Sequence, residues 1–282
     1  MKRASTRLAF RASVILFAAL AAAFGLPIGS EQAAALSSVP GDSGSAPIER
    51  LHEPFTEVLS RYVHDGKVDY PGLCSDGRFA EYLSRLSSTD PSAIADRDER
   101  LAFWLNAYNA FTIKLICDNY PVASIKDLRF ARVVKGSTQN QDAWNMRFIT
   151  IGGVHYTLNE IEHSIIGPEF KDPRVHFALV CAAVSCPPLR PEAYEGARLD
   201  EQLNDQGRIF LSDTSKNFFD RENKIAYLSK IFSWYAGDFG QSRRQIMVAL
   251  LPFLPKDLAA DIRGNPGAWD IQYTAYDWGL ND

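Results

Sequence analysis

The chain has 282 residues, a net charge of −4 and 46% hydrophobic residues, enough for one domain with a substantial core. No Lys/Arg-rich block follows Arg11, so nucleic acid and anionic membrane are poor candidates as partners.

The N-terminus reads as an export signal over residues 1–35. Lys2, Arg3, Arg7 and Arg11 form a basic leader, an apolar run follows from Ala12 to Leu26, and Ala33, Ala34 and Ala35 supply a small-residue cleavage site. The expected location is therefore periplasmic or extracellular, with no membrane span after cleavage. An uncleaved anchor is the alternative, although the run is short of the ~20 residues a span needs. Residues 36–46 (LSSVPGDSGSA) read as a flexible leader, and 47–282 as a single domain. Export places the four cysteines in an oxidising compartment. Cys181 and Cys186 are close enough in sequence to be considered as a disulfide. Cys117, in the apolar run KLIC, reads as a buried small hydrophobe.

Residues 47–63 carry helical spacing through Leu51, Phe55, Val58, Leu59 and Tyr62. A turn at His64-Asp65-Gly66 and a short extended piece, KVDY, come next. A second helix fits Arg78–Leu86, ended by Ser87-Ser88 and Asp90-Pro91. Residues 99–121 form the longest helix candidate, apolar nearly all round and hence buried. Asn106 and Asn109 share one face of it. Buried amides need partners, so they either satisfy nearby backbone or orient a catalytic group. The charged stretch 129–144 reads as a loop. FITIGGVHYT (148–157) reads as a hairpin turning at Gly152-Gly153, and Thr157 to Glu160 as a capping box. The helix that follows has a stripe of Leu158, Ile161 and Ile165, with Glu162 on its border and His163 on its flank.

Residues 174–180 (RVHFALV) have the look of a buried strand, with Cys181 just past its end. Residues 197–213 read as an amphipathic helix and 218–229 as a hairpin about Arg221–Asn223. Short helices fit 229–235, 241–252 and 255–263, and a last strand with an aromatic tail closes the chain. The fold class is α+β, helix-rich with a small sheet and hairpins.

The stretch 161–188 concentrates Glu162, His163, His176, Cys181 and Cys186 in a chain with five histidines and four cysteines. Together FWLNAYNA (103–110), IEH (161–163), VHFALVCAAVSCPPLRPEAY (175–194), LSKIFSWYAGDFG (228–240) and YDWGLN (276–281) resemble the domain of unknown function 547 family, with VDYPGL (68–73) like its opening. The resemblance covers about 48–282. It implies a thiol-enzyme arrangement on a rearranged papain- or transglutaminase-like core. Its pattern stresses Glu162, His163 and Cys181, and its less uniform features, a second cysteine and a further histidine, are present here as Cys186 and His176.

Three functions compete. In a thiol hydrolase or acyltransferase, Cys181 attacks a carbonyl and His163 is the base, with His176 as alternative. Glu162 or Asn106 then orients the imidazole, and amides of the AAVS loop receive the oxyanion. In a metal-dependent hydrolase, Glu162, His163, His176 and a cysteine bind zinc, although no regular ligand spacing is present. In a non-catalytic envelope scaffold, Cys181 and Cys186 are disulfide-bonded and Glu162 pairs with Arg174. Trp234, Tyr235, Phe239 and Trp278 are then packing or a partner surface. His52, His64, His155, Met247, Trp104 and Trp144 read as structural residues. No phosphate loop, dinucleotide fingerprint or serine elbow is visible, so no cofactor is expected.

Overall fold

The computed structural model describes residues 50–134 and 137–282. The expected signal (1–35) and leader (36–46) lie outside the described residues. Among the described residues no helix is long and apolar enough to cross a membrane.

α1 (Glu53–Tyr62) starts with Pro54 in its first turn and buries Phe55, Val58 and Leu59. It leads into a two-residue ribbon, β1 (Val63–His64) against β2 (Lys67–Val68), turned by Asp65 and Gly66 at positive φ. The KVDY piece is extended only to Val68. Tyr70 already belongs to α2 (Tyr70–Ser75), whose N-cap is Asp69. α3 (Gly77–Ser88) is capped by Asp76. α4 (Arg97–Cys117) is capped by Asp96, whose carboxylate accepts from Glu99 N. Every residue of α4 from Leu101 to Ile113 is buried, as its all-round apolarity requires. The main hydrophobic core surrounds this helix.

Cys117 is not an isolated hydrophobe, as expected from KLIC. It is disulfide-bonded to Cys74, tying the end of α4 to α2. The segment after it corrects a second expectation, because the charged "loop" is an antiparallel ribbon, β3 (Arg129–Val134) with β4 (Ser137–Asp142). Backbone pairing makes this ribbon without the apolar alternation that would announce it. The next hairpin, β5 (Ile149–Ile151) with β6 (Val154–Tyr156), turns at Gly152 and Gly153 with φ of 56° and 76°. Both values favour glycine.

Thr157 and Glu160 form the reciprocal capping box and start α5 (Leu158–Glu160). The helix then widens into a π turn over Ile161–Ile166, where Gly167 N donates to Glu162 O five residues back. It ends as α6 (Gly167–Phe170). The extra residue in the wide turn shifts the buried stripe to Leu158, Ile161 and Ile166, so Ile165 is not its last member.

Residues 174–180 are not a strand. Val175–Ala178 form one helical turn, α7, all four residues buried. Asp172 accepts from Arg174 N at its start. An apolar run buried on all sides has no period to distinguish strand from helix. α7 lies between two cores. Val175 and Ala178 pack into the main one, and Phe177 into a second, where it meets Phe210, Phe232 and Phe239.

The second core is built by α8 (Leu199–Ser212) and a three-stranded sheet. In that sheet β7 (Phe218–Asp220) pairs antiparallel with β8 (Ile225–Leu228). The short helices α9 (Ile231–Trp234), α10 (Ala236–Phe239), α11 (Arg243–Leu250) and α12 (Lys256–Gly264) follow. β9 (Asp270–Tyr273) then joins β8 in parallel register. The chain is helix-rich with a small sheet and hairpins, an α+β fold.

Candidate active site

A cavity of about 240 Å³ opens beside α7. Five sequence candidates line it: Glu162, His163, His176, Cys181 and Cys186. Asn106 does not. Its amide donates to Tyr194 O and accepts from Tyr194 N, both at 2.8 Å, and so fixes backbone. Asn109 does the same for the approach to the site. It donates to Ala178 O and accepts from Val180 N, both at 2.9 Å. Residues 178 and 180, on the approach to Cys181, are thereby clamped to the most buried helix.

Cys181 and Cys186 are disulfide-bonded, so no free thiol stands at position 181 in this structure. The two sulfurs differ in access. Cys181 is partly exposed, whereas Cys186 is 2% exposed. Cys186 Sγ accepts from Cys181 N at 3.1 Å and from the Tyr276 hydroxyl at 3.2 Å. The same hydroxyl lies 3.4 Å from Cys181 Sγ. Burial, with the charge of Glu162, raises Tyr276 well above the usual tyrosine range, so it stays a donor. Ala182, next to Cys181, sits at φ 59°, a left-handed backbone. The loop that follows is held by the C-terminal tail. Val184 N donates to Gly279 O at 2.8 Å, Ser185 N to Asp277 O at 3.2 Å, and Asn281 N to Ala182 O at 3.3 Å. The Val184 and Ser185 amides, expected among the oxyanion donors, are engaged by that tail.

His176 is the buried imidazole of the cavity. Its Nε2 bonds Asp238 Oδ2 at 2.7 Å, and its ring stacks on Tyr235 at 3.8 Å between centroids. Burial lowers its pKa, outweighing the opposing pull of Asp238. It is therefore neutral near pH 7. An ionised carboxylate accepts only, which keeps the proton on Nε2 and leaves Nδ1 as the basic nitrogen. His163 is more exposed, at 52% of its side chain, and its Nε2 comes to 4.0 Å of Glu162 Oε1.

Glu162 does not pair with Arg174, whose guanidinium bonds Asp172 and Asp200 instead. The buried Glu162 carboxylate accepts from the Tyr235 hydroxyl at 2.5 Å. Tyr235 is raised well above its ordinary pKa by burial and then by that carboxylate. In a regular helix Glu162 and His163 would diverge by about 100°. Both nevertheless line the cavity from the π turn, a distortion frequent at functional sites.

Sequence reasoning missed Tyr108, Asp238 and Tyr276, and treated Trp144 as packing alone. Trp144, Trp234, Tyr276 and Trp278 form an aromatic wall, with Trp234–Tyr276 at 4.7 Å, Tyr276–Trp278 at 4.6 Å and Trp144–Trp278 at 5.8 Å between centroids. A second hollow of about 510 Å³ shares Glu162, His163 and His176 with the first and adds Lys171, Asp172 and Asp238. Among the described residues no group of three or more His, Cys, Asp or Glu is placed to hold a metal ion. The zinc set of the metal-dependent alternative, Glu162, His163, His176 and a cysteine, is therefore not assembled among the described residues.

Residues 92–211 match the family model described as Protein of unknown function, DUF547. Over these residues the chain is similar to the DUF547 family. The match is narrower than the expected span of 48–282, but it holds Glu162, His163, His176 and both sulfurs. Tyr235 and Tyr276 reach the cavity, and Asp238 reaches His176, from beyond the matched residues. No curated protein and no solved structure matches the chain.

Proposed function

We propose that this cavity is the active site of an exported thiol-dependent hydrolase or acyltransferase, with Cys181 as nucleophile once its bond to Cys186 is reduced. The observation that carries this reading is an imidazole held by a carboxylate, His176 on Asp238 at 2.7 Å, lining one cavity with the accessible sulfur. His176, rather than the more exposed His163, is the base.

His176 Nδ1 takes the Cys181 thiol proton, and the thiolate attacks the carbonyl carbon of an ester or amide. The Tyr276 hydroxyl, 3.4 Å from the sulfur, donates to the oxyanion. The imidazolium returns its proton to the leaving group, giving an acyl-enzyme that water or a second acceptor releases. Asp238 orients the ring and stabilises its charged form. Two hollows that meet at His176 suit the two halves of an acyl donor, one against the aromatic wall and one beside Lys171 and Asp238. Two disulfides among the described residues fit an oxidising compartment and the export signal. A rearranged papain-like core remains part of the proposal.

The test is an activated-ester panel on the reduced protein, with the acyl adduct located by peptide mass spectrometry. An adduct on Cys181, lost in Cys181→Ala and slowed in Asp238→Ala, is expected. A second reading, a non-catalytic scaffold, rests on the disulfide itself and predicts no adduct in any redox state. Cell fractionation with N-terminal mass analysis tests export, the expected species starting at Leu36.

A further inference from the structure

We infer that the Cys181–Cys186 disulfide is a reversible thiol–disulfide exchange site, reduced by a dithiol that attacks Cys181 Sγ and expels Cys186 as leaving sulfur. This goes beyond acyl transfer and is read on the sulfurs alone, so the two proposals fail separately.

Access selects the sulfur attacked. Cys181 is partly exposed on the cavity wall and Cys186 is buried at 2%. Hydrogen bonding selects the leaving sulfur. Two donors converge on Cys186 Sγ, the Cys181 N–H at 3.1 Å and the Tyr276 hydroxyl at 3.2 Å. Both strengthen when the sulfur becomes a thiolate, and a stabilised thiolate leaves faster.

The step balances. A thiolate of the dithiol forms a bond to Cys181 Sγ, the Cys181–Cys186 bond breaks, and Cys186 departs as thiolate and takes a proton from solvent. The second thiol of the reductant then attacks its own sulfur in the mixed disulfide and frees Cys181. Two electrons pass from the dithiol, which becomes a disulfide. The reverse sequence re-forms the pair.

The loop keeps its shape through the cycle. The tail bonds at Ala182, Val184 and Ser185 do not involve sulfur, and Asn109 holds residues 178 and 180. The other disulfide is built differently. Cys74–Cys117 closes 43 residues between two helices, and no hydrogen bond to either sulfur occurs among the described residues.

The experiment equilibrates the folded full chain in graded dithiothreitol, traps thiols with a maleimide, and maps all four cysteines by mass spectrometry. Cys181 and Cys186 should become labelled at a reductant concentration at least tenfold below that for Cys74 and Cys117, with an unchanged far-UV circular dichroism spectrum. Tyr276→Phe should slow that reduction about tenfold. In single variants, Cys186→Ser should form a mixed disulfide with an aromatic disulfide reagent at least tenfold faster than Cys181→Ser. Reduction of both pairs together, only on unfolding, would overturn the inference. So would faster mixed-disulfide formation at Cys186 than at Cys181.

Discussion

Replacing Asn109 by alanine should cost about 4 kcal/mol of stability. The amide makes two hydrogen bonds of 2.9 Å to Ala178 O and Val180 N, inside a site where Asn109 itself is 3% exposed. Truncation leaves a buried carbonyl and a buried N–H unpaired, each worth about 1–3 kcal/mol, and removes packed atoms besides. Against a typical total of about 5–15 kcal/mol this is a large fraction. The assay is urea unfolding followed by tryptophan fluorescence, with both disulfides kept oxidised. Asn106→Ala should cost a similar amount, because its two bonds to Tyr194 are equivalent. The two variants should part at the site. Asn109→Ala loosens residues 178–180 and should change the reactivity of Cys181 in the reduced protein, while Asn106→Ala should not. A loss under about 1 kcal/mol for Asn109→Ala would refute this account, since one such unpaired group alone costs that much.

Other outcomes follow from the same contacts. Burial lowers the His52 pKa to about 3, with Nδ1 bonded to Tyr82 and Nε2 buried with no partner among the described residues. Its folded pKa lies below its unfolded value of 6.5, so stability is full above pH 6.5 and falls as pH drops towards 3. At pH 4.5 this amounts to about 3 kcal/mol, a slope that His52→Gln should remove in urea titrations across pH. Opening Cys74–Cys117 by a double serine substitution should cost about 4 kcal/mol, against about 2 kcal/mol for the short Cys181–Cys186 loop, as compared by urea midpoints. Trp234→Ala should leave stability within about 1 kcal/mol, because the ring is half exposed, yet raise KM for any acyl donor that fills the aromatic wall; unchanged kinetics would remove Trp234 from the binding surface.

The parts of the fold that were legible in the sequence are those decided locally. Gly152-Gly153 demands a tight turn, Thr157 and Glu160 cap each other, and the apolar surround of residues 99–121 requires a buried helix. Failures arose where distant packing decides. Val175–Ala178, within the run 174–180, form a helical turn wedged between two cores, and β3 and β4 pair without an apolar alternation in their sequence. Cysteine connectivity has no local signal, which is why Cys117 was misread. The candidate site was legible because Glu162, His163, His176, Cys181 and Cys186 lie within 25 residues. Its remaining groups, Asp238, Tyr235 and Tyr276, arrive from the far end of the chain, and their roles depend on distances no spacing encodes.

The most direct measurement of the central claim is the intact mass of Cys186→Ser after brief exposure to an activated ester, without added reductant. With position 181 unable to form its disulfide, the account predicts one acyl group, carried on Cys181 and released faster when His176 is intact than in His176→Ala. A folded variant that gains no acyl mass, or gains it equally with Cys181 replaced, would contradict it.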